Sequence, residues 1–166
     1  MMAQTVRIEI TENSHDPSRD RRLIAARDFL GVHLTGLEEI KVYKIAAETK
    51  LPDNDALQSV FADPVLQTLH TDKMGPAEKQ PAFAVEVSFR PGVTDNPARA
   101  AETALALTGH TAHVASSSLF LLYGDIKESD AQSVGAELLA NDLIQKIDVY
   151  VFAEFLNQPR FENVCL

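Results

Sequence analysis

The chain has 166 residues, 45% of them hydrophobic and 23% charged, enough apolar material for a buried core and far from a disordered composition. Its formal net charge of -9 and its pI near 4.9 speak against a phosphate-gripping nucleic-acid surface and against docking on anionic membranes, both of which need clustered cations. With one cysteine, Cys165, there is no internal disulfide; no apolar signal core lies within Met1–Glu12 and no run reaches transmembrane length, so a cytoplasmic location is expected.

In chain order, Val6–Thr11 alternates apolar and polar residues, as a half-buried strand does. Asp16-Pro17 then predicts a helix start, with Asp as cap and Pro at the first helical position. Leu23, Ile24, Ala26 and Leu30 give that helix an apolar face, and Gly31 is its stop. Leu37–Glu48 reads as a strand or a hairpin, Asp53–Ala62 as a short helix and Val65–Thr71 as a closing strand. Gly75, Pro76 and Pro81 mark a linker. Beyond it, Phe83–Phe89 alternates cleanly and Pro97–Leu107 is an Ala-rich helix. His113–Gly124 suggests a hairpin turning at Ala115-Ser116-Ser117. Ser129–Ala140 reads as a helix capped by Ser129 or Asp130, and Ile144–Phe155 as the longest strand.

The chain repeats itself. Ala62-Asp63-Pro64-Val65-Leu66-Gln67 returns as Ala140-Asn141-Asp142-Leu143-Ile144-Gln145, 78 positions later. Gly31 answers Gly109, Ile8-Glu9-Ile10 answers Val85-Glu86-Val87, and Asp16-Pro17-Ser18-Arg19 answers Asp95-Asn96-Pro97-Ala98-Arg99. The expected organisation is a first module at 1–74, a linker at 75–81, a second module at 82–155 and a tail at 156–166. The order β-α-β-β-α-β predicts an α+β chain of two ferredoxin-like modules, antiparallel sheets with helices on one face, packed as an intrachain pseudo-dimer. The nearly all-apolar Ser118–Tyr123 suits burial on both faces, in the pseudo-dimer core or at an external interface.

Two segments of the second module carry a resemblance. Phe89-Arg90-Pro91-Gly92-Val93-Thr94-Asp95-Asn96-Pro97, followed by the Ala-rich helix, resembles the opening of PurS-type subunits: a strand, a Lys/Arg-Pro-Gly-Val-x-Asp-Pro-like loop, then a helix. Leu138-Leu139-Ala140-Asn141-Asp142-Leu143-Ile144 resembles the family's Leu-Leu-Ala-Asn-Pro-x-Ile close, with Asp142 standing where the family usually has Pro. The first module departs further, since Glu12-Asn13-Ser14-His15 replaces the Arg-Pro-Gly loop, while Phe61-Ala62-Asp63-Pro64-Val65-Leu66 echoes the close. The whole is also similar to the N-terminal region of long bacterial phosphoribosylformylglycinamidine synthase chains, which carry two PurS-like modules.

The resemblance implies a non-catalytic assembly component of that purine-biosynthesis ligase. Its expected partners are the synthetase (PurL-type) and glutaminase (PurQ-type) polypeptides, and ATP, Mg and glutamine are used by those partners. No cofactor is expected in this chain. Two fused modules satisfy the dimer contact internally, or pair again as a homo-dimer.

The residues agree in offering little chemistry of their own. Cys165 lies outside both modules, the 7 glycines form no phosphate-binding run, and Ser116-Ser117-Ser118 lacks a nucleophile elbow. His110-x-x-His113 is half a metal site without evident further ligands. Asp16 and Asp95 have a sufficient role at helix starts. The remaining candidate is the loop Arg90, Gly92, Thr94, Asn96, an interface or an anion-binding loop at a helix N-terminus. Ligand sensing between paired modules is the alternative reading, and a small stand-alone enzyme is disfavoured.

Overall fold

The computed structural model describes residues 3–72 and 79–166. Of the expected linker, residues 75–78 lie outside the described residues. The chain is α+β, with one six-stranded antiparallel sheet and five helices among the described residues. The strands are β1 (Gln4–Glu12), β2 (Gly36–Ala47), β3 (Gln67–His70), β4 (Phe83–Phe89), β5 (Ala112–Tyr123) and β6 (Gln145–Val151), in the spatial order β3-β1-β2-β5-β4-β6.

The helices occupy the connections. α1 (Arg22–Ala25) widens into a π-helical turn at Ala26–Leu30 and stops at Gly31, which takes the left-handed conformation at φ 67°. α2 (Asn54–Phe61) follows β2, α3 (Asn96–Leu107) follows β4, and α4 (Glu128–Val134) follows β5 and widens at Gly135–Leu139. α5 (Phe152–Leu156) continues directly from β6.

Several expectations need correction. Each half has three strands rather than the four of a ferredoxin-like unit, because β2 and β5 are each one continuous strand of 12 residues: of the strand or hairpin expected at Leu37–Glu48 the strand forms, and the hairpin expected within His113–Gly124 does not. The serines suggested a turn by composition, yet each hydroxyl is engaged across the fold: Ser116 with Asp95, Ser117 with Glu86, Ser118 with Glu39. Where β4 no longer flanks β5, the carboxylates of Asp95 and Glu102 accept the N–H groups of Ser116 and Val114. The strand therefore runs straight with its backbone satisfied.

The halves also do not stack sheet on sheet. They join edge to edge through β2 and β5, from Gly36 opposite Tyr123 to Ala47 opposite Ala112. Asp16 caps only a short 3-10 turn, Pro17–Arg19, and α1 begins after Asp20, whose carboxylate accepts from Arg22 N. α4 begins after Lys127, whose N–H donates to Asp130. The strand expected over Ile144–Phe155 ends at Val151, so β2 and β5 are the longest strands.

Strand alternation sorts the sheet into two faces. On the helix face, α1 and α4 cover Leu37, Phe83, Val85, Val87, Phe120 and Leu122, while α2 and α3 cover Ile8, Ile10, Ile45 and Val114. Each helix pair draws one member from each half. On the other face, Phe152 and Phe155 of α5 close over Ile40, Val42, Ala84, Leu119 and Leu121. Ser118–Tyr123 is thus buried from both sides, as its composition requires, though a helix rather than a second sheet supplies the cover. Each such large side chain contributes about 1.5–3 kcal/mol by burial. Gly135 is where α4 comes closest to the sheet: a Cβ there would lie 3.0 Å from Ile147 Cδ1 and 3.2 Å from Val85 Cγ1.

Candidate functional site

The structure brings together the two segments on which the resemblance rests, although they lie 52 residues apart. Arg90 Nε donates to the Asp142 carbonyl at 2.9 Å, Arg90 Nη2 bonds Asp142 Oδ1 at 3.1 Å, and Arg90 N donates to Ile144 O at 2.8 Å. Gly92 turns the loop with φ 83°, and Val93 N closes the turn on Arg90 O. Asp95 is the N-cap of α3, accepting from Ala98 N at 3.0 Å, and Asn96 is the first helical residue. Arg90, Gly92, Thr94 and Asn96 are all exposed, but the Arg90 guanidinium is already engaged within the chain.

The first half builds the same corner with other residues. Asn13 N donates to Leu66 O at 2.8 Å and Asn13 Nδ2 to Val65 O at 3.1 Å, so Asn13 stands where the second half uses Arg90. Both closing turns share one hydrogen-bond pattern. Asp63 Oδ1 accepts from Val65 N, and Asn141 Oδ1 from Leu143 N. Gln67 Oε1 accepts from Asp63 N, and Gln145 Oε1 from Asn141 N. The Asp63 carboxyl is held below its ordinary value by the N–H groups of Leu66 and Val65. Each turn leaves an apolar pair in solvent, Val65 and Leu66 at one end and Leu143 and Ile144 at the other.

Between the two helix pairs, the centre of the helix face is polar. Ile8 faces Tyr43 and Val85 faces Phe120; a shift of 77 residues turns the first pair into the second. Lys41 and Ser118 have that same separation and face each other, so they mark the centre of the symmetric register. Clefts open on either side of them. One of 210 Å³ is lined by Tyr43, Val87, Phe89, Pro97, Ser116 and Gln145. The other, of 150 Å³, is lined by Ile10, Glu12, His15, Arg22 and Glu39; Lys41 borders both.

The second cleft is charged. Arg22 bonds Asp20 at 2.8 Å and Glu39 at 3.1 Å, and Lys41 Nζ bonds Glu39 at 2.6 Å. Burial pushes Glu39 up, but hydrogen bonds and charge from Lys41 and Arg22 outweigh it and hold the carboxyl below its ordinary value. Asp20 is lowered in the same way, Arg22 outweighing burial. Tyr43, in the first cleft, is raised by burial and by the Asp95 charge, against the lowering pull of Lys41.

A third group of charges escaped sequence reasoning. On the sheet face that α5 covers, Arg160 of the tail donates to Glu9 at 3.0 Å and stacks on Phe155 and Phe161. Glu9 is fully buried, Arg7 is 2% exposed, and Arg7 Nη1 reaches Glu86 at 2.8 Å. Charges at alternate positions beside Ile8 and Ile10 were the available signal, but alternation reads them as solvent-facing, and nothing local shows that the tail returns to cover them.

The remaining candidates lie apart. His110 Nδ1 is 3.1 Å from Thr108 Oγ1, and the exposed His113 sits 4.0 Å from Glu102. Among the described residues no group of three His, Cys, Asp or Glu could hold a metal ion, and no helix is long and apolar enough to cross a membrane. Cys165 is exposed. In comparisons with known proteins, no family model matches the chain. No curated protein matches it either.

Proposed function

We propose that this chain is a tandem duplication of PurS-like modules acting as a non-catalytic assembly component of phosphoribosylformylglycinamidine synthase. In that role it bridges the synthetase and glutaminase polypeptides and supports the transfer of glutamine-derived ammonia. The observation that carries the reading is the Arg90–Asp142 contact, which joins the two family-like segments into one corner. The matching corner around Asn13 and Val65 supports duplication, because residues of different chemistry make the same backbone connection. The Leu143–Ile144 pair beside Arg90 offers exposed apolar surface for a partner.

The test is co-elution of this chain with the synthetase and glutaminase polypeptides of its source. A ternary complex lost on mixing without this chain supports the reading, and no complex with either partner removes it. A second reading, ligand sensing, is favoured by the two clefts meeting at Lys41. A ligand that raises the melting temperature of the isolated chain, and fails to do so after Lys41→Ala, would turn the assignment that way.

A further inference from the structure

The two outer strands of the sheet differ. β3 has four residues, and its side chains are tied to β1 and the loop after it: Gln67 to Glu12 and His70 to Thr11. Short, tied edges resist pairing with other chains. β6 has seven residues, with β4 on one side and, among the described residues, no strand on the other. The chain then turns inward, since α5 packs over β4 and β5 rather than along the edge of β6.

We infer that β6 pairs antiparallel with β6 of a second copy, joining two sheets through a register centred on Ile147. Three features of the strand select this partner and this register. Lys146 and Asp148 are both exposed and point to the same face, and no ion pair engages either within the described residues. Centred on Ile147, each Lys146 comes opposite the other copy's Asp148, and this happens twice across the two-fold axis. Shifting the centre by one residue either way puts Asp148 opposite Asp148 or Lys146 opposite Lys146.

The apolar residues agree. Ile144 is 38% exposed, Leu143 85% and Val151 40%. The same register carries Tyr150 and Val151 of one β6 past Gln145 of the other, toward the closing turn that holds Leu143 and Ile144. The exposed backbone groups of the edge are satisfied at the same time. The inference stands on β6 alone and does not depend on the assignment to a synthase.

Sedimentation equilibrium on the full chain tests it, because the variants needed are surface charges that leave the core intact. The natural chain should sediment at twice its 18.2 kDa mass at high micromolar concentration. Lys146→Asp and Asp148→Lys should each weaken the dimer roughly tenfold or more, since each replaces two attractions by two repulsions. The double variant, K146D with D148K, should restore it, and an equimolar mixture of the two single variants should form a heterodimer. A monomeric natural chain overturns the inference. So does a dimer indifferent to both single changes, or one that the double change fails to restore.

Discussion

The two halves build one architecture with different residues, and the differences show which features the fold requires. Both close with the same turn, but Asp63 serves in the first and Asn141 in the second. Both seat the preceding loop against that turn, Asn13 with a short amide and Arg90 with a guanidinium. What the fold demands is a side-chain acceptor for the N–H two residues on, and a backbone bond between loop and turn. Either chemistry meets that demand. Charge is then free to differ, and the cleft beside Glu39 is lined by both acids and bases where the cleft beside Ser116 has Lys41 as its charged lining residue.

The largest test of that comparison lies at Glu9 and Glu86, which hold corresponding places on the sheet face that α5 shares. Glu9→Ala should cost about 3–5 kcal/mol, because it strands Arg160 in a buried setting and leaves Arg7 with Glu86 alone. Glu86 is partly open to solvent, its side chain 13% exposed, and its loss should cost roughly 1.5–3 kcal/mol, the range for a hydrogen bond to a charged group. Equal losses in urea denaturation would show that the tail contact through Arg160 adds nothing.

Next, Asp95 and Asp16 look alike in sequence and differ in the fold. Asp95 caps α3 and also binds Ser116 through its N–H and its hydroxyl. Asp95→Ala should cost about 2 kcal/mol, a lost cap plus the bonds to the strand. Asp16 caps a single exposed turn, so Asp16→Ala should leave the melting temperature nearly unchanged.

Acid should then separate the two closing turns. Because the folded Asp63 carboxyl lies below its ordinary value of 3.8, its support for the turn is complete above that value and fades as pH falls through the lower folded one. Asn141 does not titrate. Amide exchange should therefore speed up at Val65 and Leu66 in strong acid before it does at Leu143, and Asp63→Asn should abolish the difference.

The smallest effect on stability is expected at Arg90, whose ion pair with Asp142 is solvent-exposed. Arg90→Ala should change unfolding free energy by under about 1 kcal/mol, while weakening the proposed complex with a synthetase polypeptide. Unchanged affinity in a titration would free this loop from any role in assembly.

Much of the fold was legible in the sequence. Alternation in Val6–Thr11 and Phe83–Phe89 marked β1 and β4, Gly31 marked a helix end, and the two closing turns showed like residue types. Strand β5 was misjudged because Ser116-Ser117-Ser118 satisfies itself through carboxylates at positions 39, 86 and 95, partners that no local window contains. The arrangement of the halves was missed for a related reason. An apolar sheet face asks for a cover without saying which, and Phe152 and Phe155, which provide it, read as the end of a strand. At the candidate loop, Gly92 and Asp95 had the structural parts their types suggest, but the engagement of Arg90 by Asp142 depends on a contact across the module.

The proposed role is tested most directly by measuring two rates in one reconstituted system of synthetase, glutaminase and this chain. Product formation from glutamine and product formation from added ammonium should be followed separately, with and without the chain. A bridging component that supports ammonia transfer predicts that only the glutamine-dependent rate requires it. If neither rate responds, or if both fall together when it is withheld, the chain does not couple the two activities.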